Sequence, residues 1–260
     1  MLTSQAQDSA SAEKNTEIYK LKPAIDVPIV AGAGGWSYYA LSKIYKKDSS
    51  SVEDVMMLSK SNINGFDRWA ADVYHPEAEY ASDKVFYGAM PLPLVLLFDR
   101  NIRKDALKIA VLYTEALSIT GTLYTSSTYF NRYRPATYSD VLTVEQKRSG
   151  NQRNSFFAGH VALVATSTFF TAKVYSDYHP HSKFRWVLYG VAAAATGATG
   201  YLRHRAGKHF PTDILLGSAI GALSGILVPQ AHKVKKEEKR VQIFPFSGEV
   251  HGLAVIYHIK

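Results

Sequence analysis

The sequence contains no cysteine. That excludes a disulfide framework and a thiolate metal site, and leaves the compartment open. It also lacks a long apolar run. Its uncharged stretches reach about 14 to 19 residues, against the roughly 20 that a bilayer span wants, and the mean hydropathy is −0.11. Membrane spans and the buried helices of a soluble bundle are thus both open. Lys and Arg are scattered over several loops, and no zinc-finger or RNA-binding signature occurs, which argues against a nucleic-acid module. No strand pattern precedes the C-terminal tail, there is no internal repeat, and low complexity is confined to the first residues. The N-terminus has no apolar core of a signal sequence. Residues 1–8, with small residues from Ser4 to Ala6, instead resemble the end of one. This is read as a trimmed or mis-started envelope protein, with an ordinary flexible tail as the competing reading.

What is present is positive charge and aromatic surface. Thirty Lys and Arg against 22 Asp and Glu give a net charge of +8 and a pI near 9.4, which implies an anionic partner. The 17 tyrosines and 12 phenylalanines suit a membrane interface. Residues 1–22 read as a flexible tail, 23–232 as one helical domain, and 233–260 as a basic linker and hairpin. Six helices are expected, over 27–42, 85–98, 107–130, 155–175, 184–202 and 211–228. Pro91 and Pro93 kink the second, and Ser155 is a natural N-cap for the fourth. Asp67 opens a short helix. The tail pattern at 241–246 and 253–259, around Ser247-Gly248-Glu249, reads as a β-hairpin. The fold class is therefore all-α: a six-helix bundle with a short hairpin-like tail.

If all six helices cross a membrane, the loops split by charge. Arg100, Arg103, Lys104, Lys173, Lys183, Arg185 and the basic tail share one side, which the positive-inside rule makes cytoplasmic. The other side, then periplasmic, carries 131–154 and 201–213. A cleaved signal would conflict with this arrangement, because it would send the N-terminus to the periplasm.

The stretch 201–213 is the chemical centre. It places His209 just before a helix that Pro211 opens, with Asp213 one turn on and within reach of the imidazole. Arg203 and Lys208 add charge at a helix N-terminus, a natural anion site. A plain cationic loop is the competing reading. Two further segments share this side, Arg132-Tyr133-Arg134-Pro135 and Ala158-Gly159-His160. Together they offer arginine forks for phosphate oxygens, a glycine for close backbone approach, and two histidines for nucleophilic and acid–base roles. His179 and His181 are too few for a closed metal site and read as a solvated loop.

These residues resemble the type 2 phosphatidic acid phosphatase superfamily, which includes vanadium haloperoxidases. Its third motif, Ser-Arg, five residues, His, three residues, Asp, is met by Arg203, His209 and Asp213, with Leu202 at the serine. Its Pro-Ser-Gly-His motif appears as Phe157-Ala158-Gly159-His160. Its Lys, six residues, Arg-Pro motif keeps Arg134-Pro135 but has Ser127 at the lysine. Motif order and spacing agree from roughly residue 85 to 230.

The resemblance implies a phosphoric monoester hydrolase that needs no metal or other cofactor and works through a phosphohistidine. His209 would be the nucleophile, with Asp213 orienting its imidazole, and His160 the acid and then the base. Arg134, Arg203 and Gly159 would hold the phosphoryl group. Ala158 would add a backbone amide, and Arg132, Arg153 or Lys208 would supply the missing cation. The expected substrate is a lipid phosphate or diphosphate, or a small phosphomonoester, at a membrane of the bacterial envelope with the site facing the periplasm. The alternatives are a vanadate-dependent haloperoxidase and a non-catalytic envelope protein that retains the motifs.

Overall fold

The computed structural model describes residues 17–127, 129–234, 241–247 and 251–257. Its α-helices are α1 (Pro23–Ile44), α2 (Val52–Met56), α3 (Glu77–Ala89), α4 (Arg100–Arg103), α5 (Ala106–Ser127), α6 (Val144–Arg148), α7 (Gly159–Tyr178), α8 (Phe184–Arg205) and α9 (Pro211–His232). The six expected helices are all present, with shifted ends. The second begins earlier, at Glu77, and stops at Ala89. After Pro91 the chain continues as a 3₁₀ segment, Leu92–Phe98, because prolines deny the backbone its α-helical ladder. The helix expected from Ser155 starts at Gly159. Ser155 makes no cap because its hydroxyl is taken by Asp213, at 2.7 Å.

Short helices form where side chains supply the missing amide partners. Ser51 with Asp54 and Thr143 with Gln146 make reciprocal caps on α2 and α6. Asp99 accepts from Asn101 and Ile102 at the start of α4. Asp67 precedes a single 3₁₀ turn, Arg68–Ala70, and makes no cap there.

The central helix is α7. Val161, Ala162, Val164, Ala165, Phe170, Ala172 and Val174 on it are all fully buried. On α9, Gly217, Gly221 and Gly225 recur every fourth residue and so form one stripe. A β-carbon on them would lie 2.7 Å from the Ala158 carbonyl oxygen, 2.0 Å from that of Ala162 and 2.6 Å from that of Thr166. The backbones of α7 and α9 therefore touch directly, as small-residue stripes allow.

Away from these contacts the helices present apolar side chains outward. Leu94, Phe98, Trp186, Val191, Leu223 and Leu227 are all more than half exposed, an extent of apolar surface that marks an interaction face. Three segments, Glu77–Phe98, Ala106–Ser127 and Pro211–His232, are long and apolar enough to cross a membrane. The chain is a membrane protein.

Residues 1–16 of the expected tail lie outside the described residues. Of 17–22, Tyr19 is fully buried and donates to Asp177 at 2.7 Å. At the C-terminus β1 (Val241–Ser247) pairs antiparallel with β2 (His251–Tyr257). The second strand begins two residues earlier than expected, and the turn residues 248–250 lie outside the described residues.

Candidate active site

Four helix ends and one loop build the site. Helix α8 ends at Arg205, and Gly207 follows with φ +66°. This left-handed residue closes the helix, with its amide on the His204 carbonyl at 2.8 Å. No side chain fits there, because a β-carbon would meet the Val73 carbonyl oxygen at 2.3 Å. The turn sets His209 between the end of α8 and the start of α9.

His209 is 2% exposed, and its Nδ1–H donates to the Ser155 carbonyl at 2.6 Å. A carbonyl only accepts, so the tautomer is fixed and Nε2 keeps its lone pair. Burial, and then the charges of Arg203 and Arg134, hold this imidazole well below its ordinary pKa. It is neutral at physiological pH.

Arg134 and Arg203 are both buried. Arg134 donates to Asn151 Oδ1 at 3.2 Å. Arg203 donates to Ser82 and to Asp83 Oδ1, each at 3.3 Å. The Nε of both guanidiniums is buried and has no hydrogen-bond partner among the described residues. Burial, then the charge of Arg203, pushes Arg134 down to about 10. Lys208 pairs with Glu79 at 2.7 Å. Burial, and then Arg134, holds its ammonium below the usual lysine range. Three cations thus crowd around two histidines.

His160, in the first turn of α7, faces Asp83 Oδ1 at 3.4 Å from its Nε2. Phe86 packs on its ring at 4.5 Å. Asp83 therefore bridges His160 and Arg203. Glu79, Asp83 and Phe86 lie on one face of α3, spaced four and three residues apart. The sequence reading missed this face, because the charged pattern of α3 looks like that of any solvated helix face.

Several expected contacts are made differently. Asp213 does not reach the imidazole of His209. Its Oδ2 accepts from Ser155 Oγ at 2.7 Å and from the Phe210 amide at 3.0 Å, and its Oδ1 faces Arg132. Asp213 thus holds Ser155, and the Ser155 carbonyl orients His209. Arg132 is turned away from the other arginines. It pairs with Asp213 and, at 2.6 Å, with Asp67, and it lies over the Phe210 ring. Buried Asp67 also accepts from the Thr212 amide and hydroxyl, at 3.0 and 2.5 Å, and so caps α9 from a distance. Burial raises its carboxyl, but hydrogen bonds from Thr212, Asn64 and Arg132 outweigh that and hold it below the usual range.

The Ala158 amide donates to the Asp213 carbonyl at 3.1 Å, so it is engaged within the fold. Gly159 packs on Tyr124, whose ring a β-carbon would meet at 2.5 Å. Ser127, at the position of the family lysine, donates to the Phe156 carbonyl at 3.0 Å and accepts from the Phe157 amide at 3.2 Å. It clamps the loop and brings no charge. Arg153 is drawn to the Asp48 carbonyl. Of the three candidates for the missing cation, Lys208 alone joins Arg134 and Arg203. His179 is bound to Asp99 at 2.9 Å, outside the site.

Comparison with known proteins agrees with the motifs. A lipid A 4′-phosphatase of Porphyromonas gingivalis is 29% identical over 141 residues, covering 52% of this chain and 56% of that protein. The chain thus spans about half the length of the curated relative it matches. Among solved structures, Aquifex aeolicus LpxE aligns over 63% of this chain and 92% of its own, at 24% identity and a TM-score of 0.42. A Bacillus subtilis transmembrane PAP2-type phosphatidylglycerolphosphate phosphatase aligns over 78% and 96%, at 18% identity and a TM-score of 0.46. The family model described as the PAP2 superfamily matches residues 106–237, half of the sequence. It takes in Arg134, His160, Arg203, His209 and Asp213 in order, and the chain belongs to the PAP2 superfamily.

Proposed function

We propose that this protein is a phosphatase that hydrolyses the phosphomonoester of a membrane lipid through a phosphohistidine. The reading rests on one observation above all. Two buried arginines keep Nε donors with no partner among the described residues, in a neighbourhood that also holds Lys208, His160 and a neutral histidine. Buried like charges with free donors call for an anion, and phosphoryl oxygens match the guanidinium fork.

In the proposed reaction the Nε2 lone pair of His209 attacks phosphorus. A P–N bond forms as the ester P–O bond breaks. His160 gives its proton to the leaving alkoxide. Burial and the charges of Arg203, Arg134 and Lys208 push its imidazole down to about 3, so it carries that proton once the negative phosphoryl group offsets those charges. Water then attacks phosphorus, His160 takes its proton, and the P–N bond breaks to release phosphate. Arg134, Arg203 and Lys208, with the Gly159 amide, neutralise the equatorial oxygens. Asp213 and Arg132 are positioning residues that fix Ser155 and the mouth of α9. The direct Asp213-to-His209 contact expected from the motif is replaced by the relay through Ser155.

The substrate enters from the membrane, and the site faces the periplasm of a bacterial envelope. The relative named a lipid A 4′-phosphatase makes lipid A the first substrate to test. The test is phosphate release from lipid A, phosphatidylglycerophosphate, phosphatidate and a soluble monoester, with His209→Ala as the blank. Release from one of the lipids that disappears in the variant supports the reading. Equal release by the variant, or none from any substrate, overturns it.

A further inference from the structure

Asp26, Glu115 and His232 come from α1, α5 and α9 and meet far from His209. His232 is the last residue of α9 and Asp213 lies in its first turn, a separation of about 28 Å along the helix. The three are 2%, 3% and 5% exposed, respectively. One donor atom from each lies within 4.8 Å of the others.

The histidine is poised as a ligand. Its Nδ1–H donates to the Val228 carbonyl at 2.9 Å. This is the outer hydrogen bond that metal-binding histidines make, and it aims Nε2 inward. From Nε2, Asp26 Oδ1 is 2.9 Å away and Glu115 Oε2 is 3.7 Å away. The other Asp26 oxygen accepts from the Lys22 amide at 2.7 Å, so the first carboxylate is also held. Glu115 Oε2 is buried and has no hydrogen-bond partner among the described residues. The nearby Lys22 ammonium donates to the Ala231 carbonyl at 3.0 Å.

An imidazolium does not balance this cluster well. It offers one N–H here, and the short contact to Asp26 uses it. The second carboxylate then stays unpaired in the interior, which is costly. A dication serves both carboxylates and the imidazole at once. Donors about 2.0–2.1 Å from a tetrahedral zinc ion lie roughly 3.3 Å apart, close to the separations from Nε2. One imidazole among two carboxylates suits a first-row ion better than Mg²⁺.

We propose that Asp26, Glu115 and His232 form a three-ligand site for a first-row divalent cation, with Zn²⁺ the best match, that ties α1 to α5 and α9. It lies apart from the proposed phosphate site and takes no part in that chemistry.

The test uses untagged full-length protein in detergent. Elemental analysis should find about one equivalent of metal per chain, and a chelator should lower the Tm, with Zn²⁺ restoring it. Glu115→Gln, with nearly the same shape, should lose the metal, and so should His232→Ala. His209→Ala should keep it. Wild-type protein that carries no metal, and whose Tm neither Zn²⁺ nor Mn²⁺ raises, overturns the proposal and leaves a buried ion pair. Full metal content in both Glu115→Gln and His232→Ala overturns it as well. If those variants do not fold, the metal content of the wild type and its response to chelator decide.

Discussion

Arg132 and Arg134 stand two residues apart in one loop, yet they serve opposite ends. Arg132 is answered by two carboxylates, Asp67 and Asp213. Arg134 has a carboxamide, Asn151, and keeps a buried Nε without a partner among the described residues. The first arginine finishes a structural network behind the mouth of α9. The second joins Arg203 and Lys208 in a cluster that the fold leaves positive. A hydrogen-bonded arginine beside the site therefore says little about function by itself. What distinguishes the two is whether the protein has already supplied the counter-charge.

The comparison can be pressed experimentally. The largest effect belongs to the cationic side: His209→Ala should lower phosphate release from a lipid phosphate by at least about a thousandfold, with an unchanged helical circular dichroism signal. Arg134→Gln should then lower kcat by about a hundredfold while the Tm moves little. Arg132→Gln should do the reverse. It strands Asp67 and Asp213, so stability should fall by about 2–3 kcal/mol, discounted because Arg132 is partly exposed, while the folded fraction loses much less than the hundredfold expected of Arg134→Gln. Equal losses of activity in the two arginine variants would erase the distinction. Lys208→Ala should cost less, up to about a hundredfold in rate, and a larger loss than in Arg134→Gln would make it the principal anchor.

The smallest effect is in pH. The folded pKa of His209 is depressed, so its share of stability is fully present above the ordinary imidazole value of about 6.5. It is lost as pH falls towards the folded value, because the unfolded chain takes up the proton first. Thermal melts of the wild type should fall more from pH 7 to pH 5 than those of His209→Gln. Parallel curves would mean that the imidazole is not held neutral.

Much of this was legible in the sequence. Six helices, the break at Pro91 and the His209 turn follow from local chemistry that each residue carries with it. The close packing of the Gly217 and Gly221 region follows from its small residues, whereas the gathering of Arg134, His160 and Arg203 was expected from the shared side of the six-helix arrangement and from the family motifs. The roles of Arg132, Ala158 and Asp213 did not follow. Spacing says which residues share a helix face, but a carboxylate one turn from a histidine has other suitors. Ser155 and the Phe210 amide took Asp213, and Arg132 went to the carboxylates. Asp67, Glu79 and Asp83 act across more than 75 residues of chain, and no local pattern announces such partners.

The glycine stripe of α9 has a consequence for timing and tolerance. His160 and His209 sit at the mouths of α7 and α9, on separate helices with no covalent tie nearby. Their spacing depends on how far one helix slides along the other. A slip of one residue would move them by about 1.5 Å, against a tolerance of about 0.5 Å for reacting groups. Gly217, Gly221 and Gly225 seat against the Ala158, Ala162 and Thr166 carbonyls like teeth in a rack. In the proposed reaction, the reach of His160 to the phosphoryl group is then set by a row of missing side chains, most of them far from any reacting atom.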